Sequence, residues 1–176
     1  MARRKGSQDA AGMRFGLVVA RFNQAVTSKL RSSCLAALKA HGASGDDLEV
    51  VRVPGAFELP LVARLLAKSG RFDAVICLGA VIRGDTPHFE YICAEASRGI
   101  GQVALETGVP VVFGVLTTNT VAQAVERADP TKFNRGGEAA VVAIEMGRLA
   151  KRLAAKTVDV SGPEPRARRA GTRRGR

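Results

Sequence analysis

Four short apolar runs, each separated from the next by a stretch of helical spacing, constrain this chain more than any other feature. The runs are Phe15–Ala20, Leu48–Val53, Ala74–Val81 and Val111–Leu116. Each is too short for an ordinary helix; three have the near-continuous apolar character of a strand buried on both faces, and Leu48–Val53, interrupted by Glu49 and Arg52, is strand-like. Between them, Gln24–Ala40 repeats Val26, Leu30, Cys34, Leu35 and Leu38 at helical intervals, and Phe57–Lys68 sets Leu61, Leu65 and Leu66 on one side. Gly42 and Gly70 follow these two segments, where a helix commonly ends in left-handed backbone. His88–Thr107 reads as a long helix stopped by Gly108 and Pro110; Thr120–Ala128 and Glu138–Ala155 read as two more, split by a polar loop. The order βαβαβαβαα forces parallel pairing through right-handed crossovers. It predicts a three-layer αβα sandwich on a four-stranded parallel sheet.

Length and composition fit one such domain. A chain of 176 residues buries enough surface to need no staples. Its three cysteines, Cys34, Cys77 and Cys93, are odd in number and form no CxxC pair, so neither a disulfide framework nor a zinc site is expected, and a reducing cytoplasm fits. The longest apolar stretch, Ala74–Ile82, is about half of the ~20 residues a spanning helix needs, and no apolar segment follows Arg3-Arg4-Lys5 as a secretion signal requires. Of the net charge of +11, residues 161–176 supply +5 and residues 1–10 supply +2, leaving +4 for the rest. The basicity therefore belongs mainly to the ends. Residues 1–12 are expected to be a flexible basic leader, 13–157 the domain, and 158–176 a disordered Arg-rich tail.

In open parallel sheets, ligands bind beyond the carboxyl ends of the strands. The four ends here are Arg21-Phe22-Asn23, Pro54-Gly55-Ala56-Phe57-Glu58, Ile82-Arg83-Gly84-Asp85-Thr86-Pro87-His88 and Thr117-Thr118-Asn119-Thr120. All are polar, glycine-rich or aromatic, unlike the strands before them. In the third, Pro87 suits the first position of a helix and Thr86 its N-cap. The start of that helix would bind an anion. His88 beside it either relays protons or is an exposed residue without a role. Phe22 either stacks on a planar ligand or covers the core edge. Glu58 either complements a helix dipole or accepts from hydroxyls. Arg127 and Arg135 flank a loop, as phosphate partners or as solvated surface charges. Gly55 and Gly84 suit close approach of a ligand to the backbone. His41 reads as a favourable charge at a helix end. No GxGxxG fingerprint, P-loop or HExxH occurs, which removes support for nicotinamide, nucleotide-hydrolysing and zinc-peptidase chemistry.

Taken together, these segments resemble the lumazine synthase family. The matching elements are Arg21-Phe22-Asn23, the run Pro54 to Pro60, the run Gly79 to Glu90, Phe113 to Thr118, Glu126-Arg127-Ala128 and Asn134-Arg135-Gly136. They come in family order and span roughly residues 13–155, with Gly79 to Glu90 the most specific. The resemblance implies a flavodoxin-like, homo-oligomeric fold. It implies condensation of a ribitylamino-pyrimidinedione with 3,4-dihydroxy-2-butanone 4-phosphate, a late step of riboflavin synthesis that uses neither metal nor organic cofactor. Carried over by position, Phe22 stacks on the pyrimidine, and Ala56 and Glu58 hold the ribityl chain. Backbone at Ala80, Val81 and Ile82 meets the pyrimidine edge. Gly84, Asp85 and Thr86 cradle the phosphate, and His88 shuttles protons. From a neighbouring subunit, Arg127 clamps the phosphate and Phe113 closes over the ring. Arg135 stands where the family commonly has lysine.

The partners implied are the two small substrates, further copies of the chain as pentamers or sixty-subunit shells, and riboflavin synthase; no membrane is implied. The Arg-rich tail has no counterpart in the family pattern and suits weak polyanion binding or solubility. Two rivals are a non-catalytic flavin- or pterin-binding protein, against which His88 and Arg127 together argue, and a nucleic-acid-binding protein, for which the domain lacks an interleaved aromatic and basic surface.

Overall fold

The computed structural model describes residues 8–158. Its elements are β1 (Phe15–Ala20), α1 (Gln24–Ala40), β2 (Leu48–Val53), α2 (Leu59–Lys68), β3 (Ala74–Ile82), α3 (His88–Thr107), β4 (Val111–Thr118), α4 (Val121–Ala128) and α5 (Arg135–Val158). The strands form one parallel sheet in the order β2-β1-β3-β4. The two central strands are the two that are buried almost throughout: all of β1, and β3 from Ala74 to Val81. Edge strand β2 has exposed and half-buried positions instead.

Because successive side chains leave a strand on opposite faces, the apolar runs feed two cores. Leu17, Val19, Ile76 and Leu78 pack with Leu30, Cys34 and Leu38 of α1, Ala124 and Ala128 of α4, and Ala140, Ala143 and Ile144 of α5. Val18, Ala20, Val75 and Cys77 pack with Leu59, Ala63 and Leu66 of α2 and Ala96, Ile100 and Val103 of α3. Each large aliphatic side chain so buried is worth about 1.5–3 kcal/mol. The result is the expected three-layer αβα sandwich of flavodoxin-like type. Among the described residues, no helix is long and apolar enough to cross a membrane.

Several boundaries differ from the sequence expectation, each for a local reason. The expected helix from Phe57 begins at Leu59, after a 3-10 turn over Ala56–Glu58. An α-helix started at Phe57 would need an N–H from Pro60, which has none, so Pro60 falls in the first turn instead. Helix α5 begins three residues before the expected Glu138. Left-handed Asn134 accepts the Gly137 N–H on its side chain at 3.2 Å, which starts the helix through a Gly-Gly pair that had read as loop. Gly136 allows close packing, since a Cβ there would lie 2.2 Å from the Leu30 carbonyl oxygen of α1, and Gly137 makes room for the Asn134 side chain, 2.5 Å from where its Cβ would be. Thr86 is not the N-cap of α3; Pro87 takes that position, and no side chain caps the helix. The leader expected over residues 1–12 is tied down from Gln8 onward. Ala10 is fully buried, its N–H donates to the His41 carbonyl at 2.7 Å, and Asp9 pairs with Arg148 at 3.2 Å. The Arg-rich tail, beyond Val158, lies outside the described residues.

Candidate active site

Parallel pairing brings the carboxyl ends of all four strands to one edge, where hydrogen bonds stitch their exits together. The Arg21 and Phe22 N–H groups donate to the carbonyls of Val53 and Pro54 at 2.8 and 3.0 Å, joining the exits of β1 and β2. The Asn23 amide donates to the Ala80 carbonyl at 2.8 Å, joining β1 to β3. The Arg83 N–H donates to the Thr118 carbonyl at 2.9 Å, joining β3 to β4. Asn23 holds φ 57°, a left-handed conformation that a short polar side chain tolerates, and turns the chain from β1 into α1.

On this edge sit most of the residues singled out from the sequence. Phe22 is 71% exposed, so it does not cover the core. Ala56 is buried, Glu58 is half-buried, and the Glu58 Oε2 accepts the Gly55 N–H at 2.9 Å. That bond accounts for Gly55 within the chain, since a Cβ there would lie 3.2 Å from the same oxygen. Ala80 and Val81 are buried at the end of β3, and Ile82 is half-buried. Gly84, Asp85, Thr86 and His88 are all exposed on the loop into α3. A Cβ on Gly84 would meet nothing, so the room beside it is open to a ligand.

The start of α3 lacks a side-chain cap, as do the starts of α1 and α2. Helix α4 is capped, the Thr120 hydroxyl accepting the Gln123 N–H at 3.2 Å. The N–H groups of the first turn of α3 therefore face the edge without a capping side chain, while Glu90 in that turn sets a negative charge against the positive end of the dipole. Among the described residues, no hydrogen bond engages the His88 imidazole, and no group of three His, Cys, Asp or Glu side chains is arranged to hold a metal ion.

The remaining predicted residues lie elsewhere. Phe113 is 42% exposed on edge strand β4, opposite Cys77. Thr118 ends that strand five residues later, about 16 Å away at the rise of a strand. Arg127 sits in the last turn of α4, roughly 9 Å along the axis from its start. Its guanidinium donates to the Gln123 carbonyl at 3.3 Å and lies 5.5 Å from the centroid of the Phe133 ring. Arg135 approaches the same ring at 5.9 Å and pairs with Glu138 at 2.6 Å. The chain therefore presents two groups: one on the carboxyl edge, and one around Phe133 at the α4–α5 junction. Phe133 escaped the sequence reading because nothing in its own neighbourhood marks it; its role as a shelf exists only once the two arginines converge.

A family model described as 6,7-dimethyl-8-ribityllumazine synthase matches residues 12–151. A 6,7-dimethyl-8-ribityllumazine synthase of Desulfatibacillum aliphaticivorans is 54% identical over 149 residues, covering 85% of this chain and 96% of the relative. One of Syntrophus aciditrophicus (strain SB) is 57% identical over 149 residues, covering 85% of this chain and 97% of the relative. The matched span holds both residue groups and all four strands, and on these grounds the chain belongs to the 6,7-dimethyl-8-ribityllumazine synthase family.

Proposed function

We propose that this chain condenses 5-amino-6-(D-ribitylamino)uracil with 3,4-dihydroxy-2-butanone 4-phosphate to 6,7-dimethyl-8-ribityllumazine, in sites completed between adjacent subunits. The pyrimidine amine adds to the ketone and water leaves as the Schiff base forms. Phosphate is then eliminated, and ring closure expels a second water. The observation that carries this reading is the exposed loop Gly84–His88, which opens onto the uncapped start of a twenty-residue helix at the carboxyl edge of the sheet. N–H groups left without a capping side chain favour a phosphate there. His88, one residue past the cap and the first residue of α3, adjoins that loop and suits the proton transfers of Schiff base formation and elimination. Phe22 stacks on the pyrimidine, Ala56 and Glu58 hold the ribityl hydroxyls, and backbone at Ala80, Val81 and Ile82 reads the ring edge. Gly84, Asp85 and Thr86 cradle the phosphate. Much of the acceleration comes from holding two reactants in register, an effect that reaches roughly 7–11 kcal/mol in well-oriented systems.

A shared site follows from reach. A ring 71% exposed at Phe22 leaves one side of the pyrimidine uncovered by its own chain. Phe113 lies midway along β4, Arg127 in the last turn of α4 and Arg135 at the start of α5, so a neighbour supplies them. The outer faces of α2 and α3 expose Leu61, Leu65, Tyr91 and Leu105, apolar surface suited to subunit contact. Assembly is as a pentamer or a sixty-subunit shell, which light scattering separates. Three unpaired cysteines suit the cytoplasm, and the +5 of residues 161–176 suits weak, salt-sensitive contact with polyanions such as RNA.

Mixed assemblies test the shared site. His88→Ala and Arg127→Ala chains, each nearly inactive alone, are unfolded together and reassembled in equal amounts. About one quarter of the sites in a random cyclic mixture then pair an intact His88 with an intact Arg127, and activity returns in that proportion. Properly mixed assemblies that stay as inactive as their parents refute the shared site. Arg127→Ala should also raise the KM of the butanone phosphate more than that of the pyrimidine, with Arg127→Lys restoring part, since a point charge replaces a bidentate fork.

A further inference from the structure

The loop that carries His88 is held at both ends by one side chain. Arg83 immediately precedes Gly84, and its Nη1 donates to Oε1 of Glu90, two residues beyond His88. The same guanidinium lies over the ring of Phe89, 4.3 Å from its centroid. Its Nε donates to Oδ1 of Asn119 at 2.9 Å, across the edge at the exit of β4. Asn119 is itself fixed, its N–H donating to the Gln123 side chain at 3.0 Å. The Arg83 guanidinium beside Glu90 holds that carboxyl below the ordinary carboxylate range, so the pair is fully charged near neutrality. Between the two ends, Gly84, Asp85, Thr86 and His88 are exposed, and among the described residues none of their side chains hydrogen-bonds to another. No cap closes the helix start either. The loop has little else to define its shape.

We propose that Arg83 is the positioning residue of the phosphate loop: it closes Gly84–His88 into one conformation through Glu90, Phe89 and Asn119, without itself binding phosphate. The inference rests on the reading of this loop as the phosphate and proton-transfer site. An arginine is needed because its planar fork presents several donors in fixed directions and an apolar face at once. Lysine has a single point charge and cannot satisfy the carboxylate, the amide and the ring together. A direct phosphate role is opposed by the same contacts. The guanidinium is already committed to a carboxylate, and that negative charge repels the anion the residue would have to bind.

The two roles predict opposite signs for one substitution. In Glu90→Gln the guanidinium loses its carboxylate. A phosphate-binding Arg83 would be freed and bind phosphate more tightly; a positioning Arg83 loses its hold and binding weakens. The constants to measure are kcat, the KM of each substrate and the Ki of inorganic phosphate, for the full-length enzyme and four variants. Glu90→Gln is expected to raise the KM of the butanone phosphate and the Ki of phosphate about 2–5-fold, the scale of an exposed ion pair, with the pyrimidine KM changed less than about twofold. Arg83→Gln loses the ion pair, the amide contact and the ring contact together and is expected to raise both constants about tenfold or more. Arg83→Lys falls between. The double variant is no worse than Arg83→Gln alone, since both act on one contact. A lower Ki in Glu90→Gln, no change in either constant, or an equal rise in both KM values overturns the proposal. His88→Ala measured alongside separates the two levels of argument. If it turns over like wild type, the reading of the loop falls; if it is impaired while Glu90→Gln is inert, only the positioning role falls.

Discussion

Replacing Gly136 by alanine is expected to cost both stability and phosphate affinity, by a route the structure makes calculable. The added Cβ would lie 2.2 Å from the Leu30 carbonyl oxygen and 2.2 Å from the Ser33 hydroxyl. A carbon and a carbonyl oxygen sit no closer than about 3.3 Å, so the start of α5 must retreat from α1 by roughly 1 Å. Neither side can yield locally, because the obstacle is the backbone of a fully buried residue in mid-helix. A radial gap of that size already forfeits a quarter to a half of the dispersion energy across a contact. Here it opens beside Leu30, Cys34 and Ala140. Overpacking of this kind costs about 2–3 kcal/mol. At roughly 2–4 °C per kcal/mol for a domain of this size, the melting temperature should fall by about 5–10 °C. The comparison must be made at equal subunit concentration, because the proposed assembly would stabilise the fold by mass action. The retreat also drags Arg135 and displaces Phe133, the ring against which Arg127 rests. The KM of the butanone phosphate should therefore rise while the pyrimidine KM holds. Adding Ser33→Ala should not rescue the variant, since it removes only one of the two collisions. A Gly136→Ala protein that melts with wild type would refute the packing argument, and rescue by Ser33→Ala would refute the assignment of the clash to the Leu30 carbonyl.

Three further outcomes are expected. His88→Ala should lower turnover on the order of 10²–10⁴-fold if general acid–base catalysis is its whole contribution, with assembly unchanged by light scattering; wild-type turnover at every pH would sink the assignment. Burial disfavours the thiolate, pushing Cys34 up to about 12 and raising Cys77 as well, while half-buried Cys93 is raised less. A disulfide reagent at pH 8 should therefore reach Cys93 alone in the folded protein and all three thiols after denaturation, and rapid reaction of Cys34 in the native state would contradict its burial. A chain ending at Val160 should keep its fold, assembly and catalytic rate but lose any RNA binding seen at low salt; equal binding by both forms would reject a role for the tail.

The fold was legible because one signal, the alternation of apolar runs with helical spacing, fixes strand direction and layer order together. All four strands and four of the five helices begin or end within two residues of where that signal puts them. Errors fall where backbone chemistry overrides periodicity. The start of α2 is moved by Pro60, whose missing N–H no apolar pattern reveals. The start of α5 is moved by Gly136 and Gly137, which read as loop in sequence and are helix in space, where only hydrogen fits between Gly136 and α1 and between Gly137 and the Asn134 side chain. Ala10 looks like part of a polar leader and is fully buried, its contact with the His41 carbonyl depending on a chain crossing that local sequence cannot encode.

The candidate site divides along the same line. Phe22, Glu58 and His88 were readable because a parallel sheet gathers its strand exits on one edge, so position along the chain already implies position in space. Arg83 was not readable as a clamp, although it stands in the same motif. Its partners Phe89 and Glu90 are near in sequence, but the loop between them follows no repeating geometry, and Asn119 arrives only through the β3–β4 pairing. Phe113 and Arg127 pose the opposite problem. Sequence order puts Phe113 in the strand that ends at the edge, yet about 16 Å short of it, and the register of β4 against β3, held from Val111 to Thr118, fixes it there. A residue that cannot reach its own site can still reach another's if copies are arranged around an axis, because each subunit then gives on one side what it receives on the other. The proposed cyclic assembly would let one rigid chain supply both halves of a site while moving neither.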